Sequence, residues 1–440
     1  MAVLGSFLSQ LDATIVNVSL ASLAADLHSS LRTIQWVTSG YLLALTLILP
    51  LNSWVVGRIG ARALYVCCFT AFTLCSALCG LAWSANSLIG FRVLQGVSGG
   101  LLAPMAQMTI ARAAGSQMAR FMGYGTVPIV LAPVLGPVIA GAILHYASWR
   151  WLFLVNLPVG ALALVLARLF LPDDRGERRS QTLDWIGLAL LSPGLVLLLY
   201  AMDHLAERTG LVALIAAVML LWMFFQSARK KGDLALVDLR LFKVRTFSAA
   251  AVTQFLSNGV SFAGQMLIPI FLIRACGRTP AEVGWLLMPL GLGMMCTYSS
   301  IGALTRHCGI RRVSGSGAFL ALMGTLPFLY LANHGLDRSV LMAALFIRGA
   351  GQGAVGIPSM SAAYAAVKRQ DLPMATTTFN IVQRLGGPAL TTLCATLLEW
   401  RLSLLDAHDL SSGASGPFTA AFLLLGGLHA LLLAAALRLP

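Results

Sequence analysis

The chain has 440 residues, of which 58% are hydrophobic and only 10% charged, and its formal net charge is +14. Soluble proteins carry about 25% charged residues, and a soluble fold of this size still needs a polar skin. A soluble globular protein is therefore excluded, and lipid is the remaining solvent.

Crossing the hydrocarbon core of a bilayer takes about 20 apolar residues in a helix. Runs of that kind recur along the chain, punctuated by Arg, Lys, Pro and Gly. In chain order they predict spans at 4–25, 34–56, 63–83, 87–111, 121–144, 150–171, 184–202, 209–228, 246–272, 281–304, 312–333, 339–365, 374–399 and 418–437. That is fourteen helices joined by short loops, with no soluble domain. The opening run, MAVLGSFLSQLDATIV, has neither a basic leader nor a small-residue cleavage site, so it reads as a retained span. It starts abruptly, as expected if a short lead precedes it. With the first residues placed in the cytoplasm, most of the 30 Lys and Arg fall in loops on that side. The positive-inside rule then places both termini there. The same loops explain the net charge. None of them carries the extended basic, aromatic-laced patch that nucleic acid requires.

The chain also echoes itself. The segment after the second span reads SWVVGRIGARALYV (53–66), and that after the tenth reads GALTRHCGIRRVSG (302–315). Aligning Ser53 with Gly302 sets Arg58 on His307, Gly60 on Gly309 and Arg62 on Arg311. The fourth span holds Arg92, Gln95, Gly96 and Pro104. The twelfth holds Arg348, Gln352, Gly353 and Pro358. Spans 1–6 thus match spans 9–14, with spans 7 and 8 inserted. This predicts a first six-helix bundle at 1–172, an inserted pair with linkers at 173–235, and a second bundle at 236–440. Two such halves around a central cavity suit alternating access.

Charges inside spans are the functional candidates, because they are costly in hydrocarbon. Asp12 lies within the first span between apolar residues, where a carboxyl can load and release a proton; the alternative is a structural helix cap or ion pair. Arg92 interrupts a run that is uncharged from Ala63 to Phe91 and from Val93 to Ala111. A guanidinium stays charged, so it must face protein or a wet cavity, or else snorkel to a helix end. Gln95 lies at i+3 on the same face. Arg348 and Arg384 are the charges within the second-half spans. Together with Arg92 they outnumber Asp12, which predicts a cavity suited to anionic or neutral lipophilic substrates, with Glu399, Asp184 and Asp26 as acids that reach its lip. Cys68, Cys75 and Cys79 share a helix face in the third span but read as small hydrophobes rather than a metal path. Met266, Trp285, Met288, Met294 and Met295 read as packing or lipid-facing residues before cavity lining. No His cluster, nucleophile elbow or phosphate loop supports an enzyme, and no ring-forming filter motif supports a channel.

Several stretches resemble one family. LDATIVNVSLASLAADL (11–27), RVLQGVSGG (92–100), APVLGPVIAG (132–141), SWRWLFLVNLPVG (148–160), LDWIGLALL (183–191), LVDLRLFKVRTF (236–247) and NIVQRLGGPAL (380–390) look like the fourteen-span drug:proton antiporters of the EmrB/QacA type, within the major facilitator superfamily. The resemblance implies an all-α membrane transporter that exports lipophilic or amphiphilic compounds against a proton flow. The rival readings are a proton-coupled uptake symporter or a dedicated metabolite exporter of the same fold. It implies proton coupling by Asp12 and Arg92 with Gln95, and gating at Gly136, Pro137 and Gly141, read as a bendable seam between the halves. Arg58, Gly60 and Arg62 occupy the inner-gate loop, but Gly57 stands where the superfamily usually has an aspartate, so a strong acid-based gate is not expected there. The proton gradient is the energy source, with no cofactor. The expected partners are small-molecule substrates, protons and lipid in a bacterial inner membrane, and, as in some relatives, a periplasmic adaptor with an outer-membrane channel.

Overall fold

The structure, a computed structural model, describes residues 2–114, 117–171, 182–204, 207–404 and 415–440. The polar loop at 173–181 and the expected boundary beside it lie outside these residues. Among the described residues all regular structure is helical, and eleven stretches are long and apolar enough to cross a membrane, from Arg32–Ile59 to Gly416–Ala436. Three more expected spans are helical without joining that set: Ala2–Val18 with Leu20–Asp26, Met118–Tyr146, and Leu372–Ser403. The last carries Arg384, Glu399 and a run of threonines, which lower its apolar character.

The helices pair in the same way twice. Leu31–Ile48 packs on Ala85–Gly99, as Met288–Cys308 packs on Arg338–Ala365. Ala2–Val18 packs on Met118–Tyr146, as Arg245–Arg274 packs on Leu372–Ser403. Ala61–Gly80 touches Ala85–Gly99 and Asn156–Phe170, as Ile310–Met323 touches Arg338–Ala365 and Ser415–Ala436. The aligned glycines agree in backbone detail: Gly60 has φ 90° and ψ 159°, and Gly309 has φ 82° and ψ 158°. A β-carbon is strained in that region, which selects glycine at both tight turns.

Contacts between the two groups of helices gather at one end, the end where the Arg311 N–H donates to the Pro440 carbonyl at 3.1 Å. There Asn52 Nδ2 donates to Thr377 Oγ1 at 3.0 Å. Gln107 Oε1 accepts from both the Tyr364 hydroxyl and Asn380 Nδ2, each at 2.7 Å. A β-carbon on Gly123 would come within 2.6 Å of the Tyr298 carbonyl oxygen. Met105, Met118, Met122, Ile357, Met360 and Phe379 fill the space between in one buried cluster.

Trp185–Asp203 and Arg208–Lys231 pack on each other, and the first also touches Leu31–Ile48 and Leu372–Ser403, one helix from each group. Their anchor is Asp184, which the sequence offers as a candidate for a cavity lip. Instead its Oδ1 accepts from the Gly187 amide at 2.8 Å and pairs with Lys231, and its Oδ2 accepts from the Leu236 amide at 3.2 Å. Burial works against its charge, but Lys231 and the two amides outweigh this and hold the carboxyl below its usual range. A lowered acid contributes stability that is present above its unfolded value and lost as pH falls through the folded one. Asp184→Asn is therefore expected to lower thermal stability at neutral pH and to make little difference in strong acid. Melting curves at the two pH values check this, and equal losses at both contradict it.

Candidate functional site

The first helix, Ala2–Val18, carries Asp12 into the interior of the first group, where the residue is fully buried. Arg92 reaches it from Ala85–Gly99, a helix that begins with a capping box between Ser84 and Ser87. Arg92 Nη1 donates to Asp12 Oδ2 at 2.5 Å with both side chains at 0% exposure. The same nitrogen donates to Gln95 Oε1 at 2.7 Å, so the i+3 spacing does place Gln95 on this face. Arg92 Nε donates to the Val37 carbonyl at 3.2 Å, and the guanidinium carbon lies 4.1 Å from the centre of the Tyr41 ring. The other carboxylate oxygen, Asp12 Oδ1, accepts from Asn156 Nδ2 at 2.7 Å. Asn156 Nδ2 also donates to Ser76 Oγ at 3.0 Å, and Ser76 Oγ donates to the Phe153 carbonyl at 2.9 Å.

This is a charge pair with no access to water, held by four helices and a chain of neutral polar groups. A buried pair persists only when its remaining donors and acceptors are satisfied. Here both carboxylate oxygens and Arg92 Nη1 and Nε are bonded, but Arg92 Nη2, Gln95 Nε2 and Asn156 Oδ1 have no hydrogen-bond partner among the described residues. Asn156, Ser76 and Tyr41 were not singled out from the sequence. Asn156 stands within SWRWLFLVNLPVG, but it is uncharged and has no charge at helical spacing beside it, the signal that marks Gln95.

The structure places the other candidates elsewhere. Gly136 is not at a seam between the two groups. A β-carbon there would lie 2.6 Å from Thr14 Cγ2, so it packs Met118–Tyr146 against the first helix, inside the first group. The contact of that helix with the second group comes earlier, at Gly123. Pro137 lies in the same helix. Gly141 is exposed, and a β-carbon there would meet nothing within 4 Å. Arg62 Nη2 donates to the Arg168 carbonyl at 3.0 Å, Arg58 lies 5.7 Å from the Trp54 ring centre, and Gly60 forms the turn between them. These contacts lie within the first group, while the Asn52–Ile59 helix that carries Arg58 also packs on Leu372–Ser403 of the second.

Arg348 is not a cavity charge. It is 1% exposed and is consumed inside the second group, where Nη1 donates to Thr325 Oγ1 at 3.1 Å and Nη2 to the Val260 carbonyl at 2.9 Å. Arg384 is half-buried on Leu372–Ser403. Glu399 is exposed, and Trp285 and Met288 lie on the protein surface, at 73% and 50% exposure.

A helical fold built as two matching groups, with an ion pair sealed in one of them, is the architecture of a membrane transporter. Residues 2–391 match the Major Facilitator Superfamily, and the chain belongs to that superfamily. It is 33% identical over 411 residues, 92% of this chain and 76% of the relative, to the "Multidrug resistance protein B homolog" of Mycobacterium tuberculosis strain H37Rv. In fold it is similar to the human organic anion transporter MFSD10 (TETRAN), with a TM-score of 0.65 at 16% identity over 99% of this chain and 97% of that one. It is also similar to the proton:xylose symporter XylE bound to 6-bromo-6-deoxy-D-glucose, with a TM-score of 0.63 at 13% identity over 97% and 93%. At these identities the solved structures speak for the fold alone.

Proposed function

We propose that the chain is a proton-coupled exporter of small lipophilic or amphiphilic compounds, a fourteen-span drug:proton antiporter of the bacterial inner membrane with both termini in the cytoplasm. The observation that carries this reading is the sealed Asp12–Arg92 pair, a carboxylate in the membrane interior whose protonation breaks an ion pair between two helices. The multidrug resistance name of the mycobacterial relative supports export as the direction. On this reading 1–172 and 236–440 are the two moving bundles and 173–235 is an inserted support.

The closed end, with Gln107, Tyr364, Asn380, Asn52 and Thr377, is then the cytoplasmic one, and the conformation faces outward. When the first group opens far enough to admit water from outside, a proton binds Asp12 and cancels its charge. The bond to Arg92 weakens, and the Ala2–Val18 and Ala85–Gly99 helices are freed to shift. The return to the inward-facing state carries the proton across, and its release to the cytoplasm restores the pair. Alternating access needs only this change in the balance of two states. With Arg348 buried in the second group and Arg92 paired with Asp12, Arg384 is the remaining span charge of the three, which keeps neutral and anionic lipophiles as the favoured substrates. An adaptor and an outer-membrane channel are the partners such an exporter takes when it must clear two membranes.

A growth panel in a pump-deficient bacterial host tests this. The panel holds cationic dyes, neutral antibiotics, weak-acid uncouplers and fatty acids. Wild-type protein is expected to protect against neutral or anionic lipophiles, and Asp12→Asn and Arg92→Ala at matched expression are expected to lose that protection. Absence of protection throughout, or full protection by Asp12→Asn, would overturn the reading.

A further inference from the structure

Asn156 occupies a position that charge and burial together make unusual. Its side chain is 1% exposed, yet only one end of its amide is used among the described residues. Nδ2 serves both Asp12 Oδ1 and Ser76 Oγ, while Oδ1 has no partner there. A carboxylate only accepts hydrogen bonds, so the nitrogen end of the amide must face it. An unpartnered buried carbonyl oxygen is costly, and this one sits on the same side-chain amide that touches the carboxylate. A smaller apolar residue would avoid that cost.

We propose that Asn156 is a positioning residue that holds Asp12 in both of its protonation states. With Asp12 charged, Nδ2 donates to Oδ1, as seen. When a proton binds Asp12 Oδ1, that oxygen becomes a donor and no longer needs the Asn156 nitrogen. The amide turns over, and its idle Oδ1 accepts from the new O–H. The Ser76 hydroxyl, now bonded to the Phe153 carbonyl, is free to rotate and donate to the same amide oxygen. No covalent bond changes except the O–H formed on Asp12, and the proton comes from the aqueous phase that the transporter faces. Asn156 thereby keeps the carboxyl side chain in place when Arg92 lets go. This inference rests on the reading that Asp12 is the proton carrier.

Infrared difference spectroscopy against pH, on the purified protein in lipid, tests the two ideas separately and needs no substrate. The probe is the carboxylic C=O band that appears on acidification and is missing in Asp12→Asn. Asn156→Leu removes both the donor to the charged form and the acceptor of the neutral one; the charge-assisted bond is the stronger, so the band's midpoint is expected to move to higher pH, by up to about one unit, a tenfold change in proton affinity. The band is also expected to move to higher frequency, because the acid has lost its acceptor; a merely structural role would leave that frequency in place. Ser76→Ala, which removes only the second partner of the amide, is expected to shift the midpoint less and in the same direction, and Asn156→Gln to restore it in part. If Asn156→Leu does not fold, the Ser76→Ala midpoint decides. An Asp12-dependent band whose midpoint and frequency ignore these changes overturns the role of Asn156 and leaves Asp12 in place. A spectrum with no Asp12-dependent band overturns the proton-carrier reading itself.

Discussion

Asp12→Asn is expected to destabilise the protein by about 3–5 kcal/mol as well as to stop proton-driven transport. The cost arises because Arg92 would stay charged and buried with its counter-charge gone, which is the expensive way to break a buried pair. The neutral Gln95 oxygen and Val37 carbonyl remain as its acceptors, but neither carries charge. Replacing both partners, as Asp12→Leu with Arg92→Leu, is expected to recover most of that stability, since an apolar pair of similar volume is often neutral or better in such a site. It is not expected to recover transport. Melting of the purified variants together with uptake into vesicles separates the two effects. A single variant as stable as wild type would show that the pair is not sealed in the native protein. A transporting double variant would show that the pair serves only to hold the helices.

The second large effect is expected at the closed end. Gln107→Leu removes the oxygen that accepts from both Tyr364 and Asn380. Each such bond is worth about 0.5–1.5 kcal/mol, so losing two moves the balance between conformations by roughly tenfold or more. In a background lacking the eight native cysteines, a Met360→Cys reporter at this end should react with a thiol reagent faster by about that factor once Gln107→Leu is added. Met360 is buried within the cluster that joins the two groups, so it is shielded as long as that end stays shut. An unchanged rate would mean that apolar packing alone keeps the end closed. The latch also answers the glycine that stands at position 57. Amides and hydroxyls on four helical segments supply hydrogen bonds that bridge the groups at this end.

The parts of the site that sequence reading reached are those that advertise themselves by cost. A carboxylate at 12 and a guanidinium at 92 stand out in apolar runs, and Gln95 follows from helical spacing. Their meeting across 80 residues is a fact of packing that no local pattern contains. Asn156 and Ser76 are equally buried, but neutral polar residues are common in membrane helices and give no comparable signal. Arg348 was as visible as Arg92, yet its partners, Thr325 and a backbone carbonyl, were not, so its burial inside the second group could not be read from its charge. Gly136 shows the same limit from another side. A glycine in a span predicts that something comes close, but not whether the neighbour is Thr14 of the same group or a helix of the other. The repeat fared better. Gly60 and Gly309 need the same rare backbone geometry, and that need is written in the sequence as a glycine at matching places.

Proteoliposomes holding the purified protein and a pH-sensitive dye provide the decisive measurement. A lipophilic substrate identified in the growth panel is added under a proton gradient, acidic on the side that the closed end does not face. Wild-type protein should move substrate and protons in opposite directions, and Asp12→Asn should move neither down the gradient. Proton flux linked to substrate in the Asp12→Asn protein, or substrate movement in the wild type with no proton flux, would contradict Asp12 as the site where the two are joined.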